Sequence, residues 1–270
     1  MKKYLALFLT MVLGVTMLAG CGSKEVEDVQ DNAERTNLVV GFDAEYPPYG
    51  YRTDDGDYTG FDLELAQEVC NRRGWKLVKQ PIDWDAKDME LNSGSIDCIW
   101  NGFTMTGREE FYTFSEPYVD NSIVFVVGAD SDIQTAADLA GKVVITQADS
   151  SALTALESEE NAEMKASFAQ LEQIADYNNA FMNLEAGVVD AIAVDIGVAQ
   201  FQLKNKGDKF RMLEEPLSTE QYAIGFKLGD TELRDQVQET LNEMVADGTF
   251  DKIVANYADF NLDQMVCLGK

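Results

Sequence analysis

From residue 62 to residue 73 the apolar side chains Leu63, Ala66, Val69 and Cys70 return at helical spacing. This predicts a helix, and Gly74 ends it. Apolar runs at 38–41 and 75–80 predict buried strands on either side, with a hairpin turned at "DDG" (54–56) ahead of the helix. Further along, the pattern predicts a helix at 87–93, a buried strand at 141–146 ("GKVVIT"), a serine-led helix at 150–160 and another helix at 195–204. The C-terminal part predicts a strand at 221–227 and helices at 231–247 and 250–257. Strands alternating with helices in this way belong to an α/β architecture.

Two stretches share the pattern M-x-L-x-x-G-x-x-D-x-I: "MELNSGSIDCI" (89–99) and "MNLEAGVVDAI" (182–192). Each reads as the last turns of a helix, a glycine just past its end (Gly94, Gly187), a tight turn and an apolar strand. Their separation is too long for a solenoid repeat, so one such unit in each of two lobes is the simplest account. A chance likeness of two ordinary junctions is the alternative. In open α/β sheets, ligands collect beyond the carboxyl ends of the strands. The first echoed strand delivers "WNGFT" (100–104), and the second delivers Val194 and Asp195. A third strand delivers residues 147–151 at a helix start, where free N–H groups favour an anion. Arg108, the hydroxyls of Thr104, Thr106, Ser150 and Ser151, and the carboxylate of Asp195 together complement a zwitterion.

Charge narrows the function. The sequence carries 48 Asp+Glu against 21 Lys+Arg, which excludes nucleic acid as a partner and disfavours an anionic membrane surface. There is no histidine, the commonest general base and metal ligand, and neither metal nor cofactor is expected. Lys2 and Lys3, the apolar run 4–18 and "LAGC" (18–21) form an export signal too short to be a comfortable membrane span. "LAGC" resembles the bacterial lipobox, which implies that residues 1–20 are removed and that Cys21 becomes a lipidated first residue. Residues 21–36 are expected to form an acidic tether. Cys70, Cys98 and Cys267 remain, an odd number, with Cys70 and Cys98 expected as small buried hydrophobes.

"YTGFDLELAQEVCNRRG" (58–74) resembles the signature of bacterial solute-binding protein family 3, the amino-acid-binding subunits of ABC importers. The likeness continues through "LVVGFDAEYPPYGY", "QPIDWDAKDMELNSGSIDCIWNGFTMTGRE", "FSEPY", "DLAGKVV" and "EQYAIGFKLGDTELRDQVQETLNEMVADGTFDKI". The resemblance implies a two-lobe periplasmic-binding-protein-like α/β fold (type II), its lobes joined by two hinge strands with the ligand in the cleft. Lobe 1 would comprise 37–120 plus 219–270, and lobe 2 would comprise 121–218, with crossings near 121–126 and 213–218. It implies that Gly102 offers its carbonyl to the ligand ammonium, that Thr104 and Arg108 hold the carboxylate, and that Ser150 and Ser151 add donors. Asp195 resembles the ammonium partner, Asp43 the contact to a polar ligand side chain, and Tyr46 and Trp84 the aromatic walls. Only Gly107 separates Thr106 from Arg108, where the family usually has two residues; glycine's wider backbone freedom can absorb the shortening. Gln147 and Val194 replace the lysine and histidine of glutamine-binding relatives, so ligand identity does not carry over.

Each residue also has a simpler reading. Arg108 could be a solvated charge, Asp195 a helix cap, Tyr46 and Trp84 core aromatics, and Asp43 a loop cap. The favoured reading is a lipid-anchored, monomeric receptor outside the cell membrane that captures a polar L-amino acid and presents it to an ABC permease. The alternatives are a cyclohexadienyl dehydratase-like enzyme on the same fold, and a ligand-sensing module that docks to a signalling partner.

Overall fold

The computed structural model describes residues 35–270; the export signal, Cys21 and the tether up to residue 34 lie outside the described residues. Two sheets organise the chain. In the first, five strands run in the order Lys76–Pro81, Asn37–Phe42, Cys98–Ile99, Gly225–Lys227, Tyr112–Phe114. The first three are mutually parallel, and Gly225–Lys227 is antiparallel to both of its neighbours. In the second, Gln170–Ile174, Val143–Gln147, Ala191–Asp195, Val119–Gly128 and Phe210–Met212 lie in that order. Ser218–Tyr222 also pairs with Val119–Gly128. A small third sheet joins Glu45–Tyr46, Gly50–Arg52 and Tyr58–Thr59, turned at the expected "DDG".

The helix Phe61–Arg73 buries Phe61, Leu63, Leu65, Ala66, Val69 and Cys70 against the first sheet's core, and Gly74 closes it in the left-handed conformation. Cys70, Cys98 and Cys267 are free thiols, the first two buried. The echo is real wiring. Gly94 and Gly187 both take positive φ, 81° and 69°, just past their helices. The aspartate that follows does one job in both lobes. Asp97 accepts the amide of Val39 at 2.6 Å, and Asp190 accepts that of Val143 at 2.8 Å. Each carboxylate thus fastens an echoed strand to its parallel neighbour.

Two expectations need correction. The helix expected at 150–160 stops at Glu157, and a separate short helix, Ala162–Ser167, follows it. Asn161 donates to the Ala155 carbonyl at 2.9 Å, and such local side-chain bonds compete with helix continuation. The strand at 221–227 is also two strands, Ser218–Tyr222 in the second sheet and Gly225–Lys227 in the first. The unbroken buried run 222–226, which spans the junction, hides the break. No helix among the described residues is long and apolar enough to cross a membrane.

Candidate ligand-binding site

The loops after the echoed strands face each other between the sheets. Tyr46, Trp84, Gly102, Thr104 and Arg108 from one lobe, and Gln147, Ser150, Ser151 and Asp195 from the other, line one cavity. Of the residues expected at the ligand, Thr106 stands outside this lining, its hydroxyl accepting from the Gln221 amide at 3.1 Å, and so does Asp43. It is joined to it through Gln147, whose Nε2 donates to Asp43 Oδ2 at 2.6 Å. The cavity is nearly shut, about 10 Å³, room for about one water molecule.

Backbone geometry sets the arginine loop. Gly102 has φ 57°, and its amide donates to Asp62 Oδ2 at 2.5 Å; the same oxygen accepts from Tyr118 Oη at 2.8 Å. A Cβ at Gly102 would press on Tyr222, Tyr46 and Tyr49 at 3.0 to 3.2 Å. Gly107, at φ 78°, takes the left-handed conformation, and the Arg108 amide closes a turn onto the Met105 carbonyl at 2.9 Å. This is the freedom the shortened loop calls for. The Arg108 guanidinium lies 5.1 Å from the centre of the Phe103 ring and pairs with no carboxylate among the described residues.

Opposite, Asp195 precedes the helix Ile196–Lys206 but does not cap it. Its carboxylate turns to the cleft, accepting from Asn121 Nδ2 at 2.8 Å and from the Tyr222 hydroxyl. Ser150 is the one that caps. Its hydroxyl accepts from the Leu153 amide at 3.1 Å and donates to the Gln147 carbonyl at 2.7 Å. Ser151 Oγ donates instead to Glu220 at 3.1 Å. Tyr46 and Trp84 stack with rings 5° from parallel, 6.5 Å apart. Sequence reasoning missed Lys87, Asn121, Glu220 and Tyr222. Lys87 is buried, 5.3 Å from the Trp84 ring centre, and pairs across the cleft with Asp149. Asn121 and Glu220 are register partners in the two strands that run between the lobes, a juxtaposition no local pattern marks.

Several carboxyls are held away from their ordinary range. Burial pushes Asp43 up to about 6, Asp62 to about 7 and Glu220 to about 7. A carboxyl raised in this way binds its proton in the fold at a pH where the unfolded chain has released it. Its contribution to stability is complete below the ordinary value near 4 and is lost as pH rises toward 7. Asp247, Asp138 and Glu185 are shifted the other way, and their contribution is lost only at more acidic pH. Lowering the pH from about 7 to about 5 is therefore expected to stabilise the protein without ligand by about 2 to 5 kcal/mol. Thermal melts at the two pH values check this, and a lower melting temperature at the acidic one refutes it.

Alongside the cavity, on the Trp84 side, lies an open cleft of about 630 Å³. Asp43, Glu45, Asp83, Asp85, Glu90 and Asp176 line it, with no basic residue among them.

Known proteins resemble this chain over most of its length. The L-cystine-binding protein TcyA of Bacillus subtilis is 33% identical over 268 residues, covering 93% of this chain and 95% of its own. The L-cystine-binding protein TcyJ of Escherichia coli is 29% identical over 248 residues, covering 90% and 91%. Among solved structures, an ABC uptake transporter substrate-binding protein from Streptococcus pneumoniae with bound histidine superposes with a TM-score of 0.78 at 34% identity. That superposition covers 82% of this chain and 92% of the other. These relatives are binding proteins. Residues 38–260 match the model of one family across both lobes and every cavity-lining residue, and the chain belongs to the bacterial extracellular solute-binding proteins, family 3.

Proposed function

We propose that the protein captures a polar L-amino acid between its lobes and delivers it to the permease of an ABC importer. The observation that carries this reading is the cavity itself. An arginine without a carboxylate partner among the described residues stands on one lobe, and a buried aspartate whose side chain caps no helix stands on the other. An amino acid presents a carboxylate to the first and an ammonium to the second, so one molecule bridges both lobes and favours closure. Gly102, Thr104 and Ser151 add polar contacts, Tyr46 and Trp84 the walls, and Ser150 shapes the helix start. The strands Val119–Gly128 and Ser218–Tyr222 serve as the hinge, with lobe 1 at 37–120 plus 219–270 and lobe 2 at 121–218.

Asp43 and the acid-lined cleft favour a ligand whose side chain is polar or cationic, and the cystine-binding and histidine-bound relatives support that class. A thermal-shift screen of residues 22–270 against the standard amino acids, ornithine and cystine tests it. A ligand at a hundred times its dissociation constant adds ~2.7 kcal/mol of stability. Arginine, lysine, histidine, glutamine or cystine is expected to give the largest shift; preference for leucine or phenylalanine sinks the polar-ligand reading. The protein acts as a monomer held to the outer face of the membrane by lipid on Cys21. Cys21→Ala is expected to leave the membrane fraction or remain unprocessed, and a processed mutant that stays membrane-bound refutes the anchor.

A further inference from the structure

Glu220 borders the site, hydrogen-bonded to Thr104 and Ser151 of its lining, yet none of the roles above uses it. Its Oε1 accepts from Thr104 Oγ1 at 2.8 Å, from Asn121 Nδ2 at 2.8 Å and from Ser151 Oγ at 3.1 Å. Those donors come from lobe 1, the hinge and lobe 2 in turn. Asn121 Nδ2 also donates to Asp195 at 2.8 Å, so one amide ties the two acids together. Two carboxylates bridged by a single amide nitrogen repel each other when both are ionised, which favours a proton on one of the pair when no cation lies between them.

We propose that Glu220 is a ligand-binding residue: with Asp195 it forms a two-carboxylate receptor for the amino acid's ammonium, which replaces the proton the two acids share when no ligand is bound. This rests on the amino-acid reading above and adds to it a residue and a linked proton. Among the described residues the surroundings supply hydrogen bonds but no ion pair to either acid. Tyr222 donates to Asp195, the Tyr46 hydroxyl lies 3.3 Å from that of Tyr222, Tyr49 and Tyr177 stand nearby, and Arg108 lies on the Phe103 ring in the same cavity as Asp195. Two like charges so close cannot both ionise in a desolvated site, whereas an ammonium between them allows it. Burial and the Asp195 charge push the Glu220 carboxyl up, and burial pushes Asp195 up as well, so the proton belongs to the pair. With so little space left in the cavity, the ligand enters as the lobes part and the pair opens with them.

The test is calorimetry on the purified protein near pH 7 with L-arginine, L-histidine and L-cystine as probes, each in phosphate and in Tris. These buffers differ in their heat of protonation. On the order of one proton released per bound probe is the expected result, read as a buffer-dependent enthalpy. Glu220→Gln keeps the side-chain size and some hydrogen bonds but cannot ionise. It is expected to lose the proton release and bind about tenfold or more weakly. Glu220→Asp is expected to retain part of the linkage. If a probe binds with the same enthalpy in both buffers, or Glu220→Gln keeps affinity and linkage, the inference is overturned while the amino-acid reading stands. If no probe binds the folded protein, the same calorimetry is run on the ligand found in the thermal-shift screen, and a screen without any hit overturns both.

Discussion

Arg108→Ala is expected to weaken amino-acid binding by about 10² to 10³ or more while leaving the melting temperature without ligand nearly unchanged. The size follows from what closure does to the ligand. Once the lobes exclude water, a carboxylate deprived of its main partner costs about 3 to 5 kcal/mol. The neutrality of the fold follows from the side chain's surroundings. Arg108 makes no ion pair among the described residues and rests on Phe103 through a partly exposed cation–π contact, worth about 0.5 to 1 kcal/mol. Lysine is a poor substitute, because its ammonium lacks the planar fork that matches a carboxylate. Calorimetry with the ligand found in the screen decides it: affinity within about twofold of the parent makes the arginine a surface charge.

Gly197→Ala is expected to lower affinity by about tenfold to a hundredfold, for a reason that helix propensity alone would get backwards. Gly197 sits in the first turn of the helix Ile196–Lys206, where alanine favours a helix by roughly 0.5 to 1 kcal/mol. Yet a Cβ there would meet Tyr49 of the opposite lobe, at 2.5 Å from Oη and 2.9 Å from Cε2. Tyr49 is fully buried and cannot retreat to solvent. The methyl group therefore wedges the lobes apart without harming lobe 2 itself. The opposed signs make the test sharp: affinity should fall while the stability measured without ligand does not fall in proportion. Unchanged affinity would mean that binding does not need this approach.

Much of this site was legible because its residues follow strand ends. Gly102, Thr104 and Arg108 come after one echoed strand and Asp195 directly ends the other, so topology alone aims them at one gap. Asp195 also shows where residue type misleads, since an aspartate ahead of a helix reads as a cap, and here Tyr222 and Asn121 claim it instead. Ser150 errs in the opposite direction, as its hydroxyl is committed to the capping that its position suggests. Glu220 and Asn121 were not legible. Their meeting depends on the register of strands about a hundred residues apart, and a carboxylate in a polar run reads as solvated charge. Lys87 is hidden for the same reason, because its burial depends on Asp149 from the other lobe.

The pairing of Val119 with Tyr222 has an architectural consequence. Register partners in antiparallel strands lie about 5 Å apart, so the chain leaves the first sheet and returns to it at nearly the same point. Everything between is an excursion, and the first sheet needs none of it to complete its own strand order, since Tyr112–Phe114 and Gly225–Lys227 already meet on the near side. A turn of a few residues joining Tyr118 to Ala223 could bridge the gap. In genetic terms, lobe 2 is a cassette whose two ends are stitched side by side, open to exchange while the arginine loop stays on its original frame.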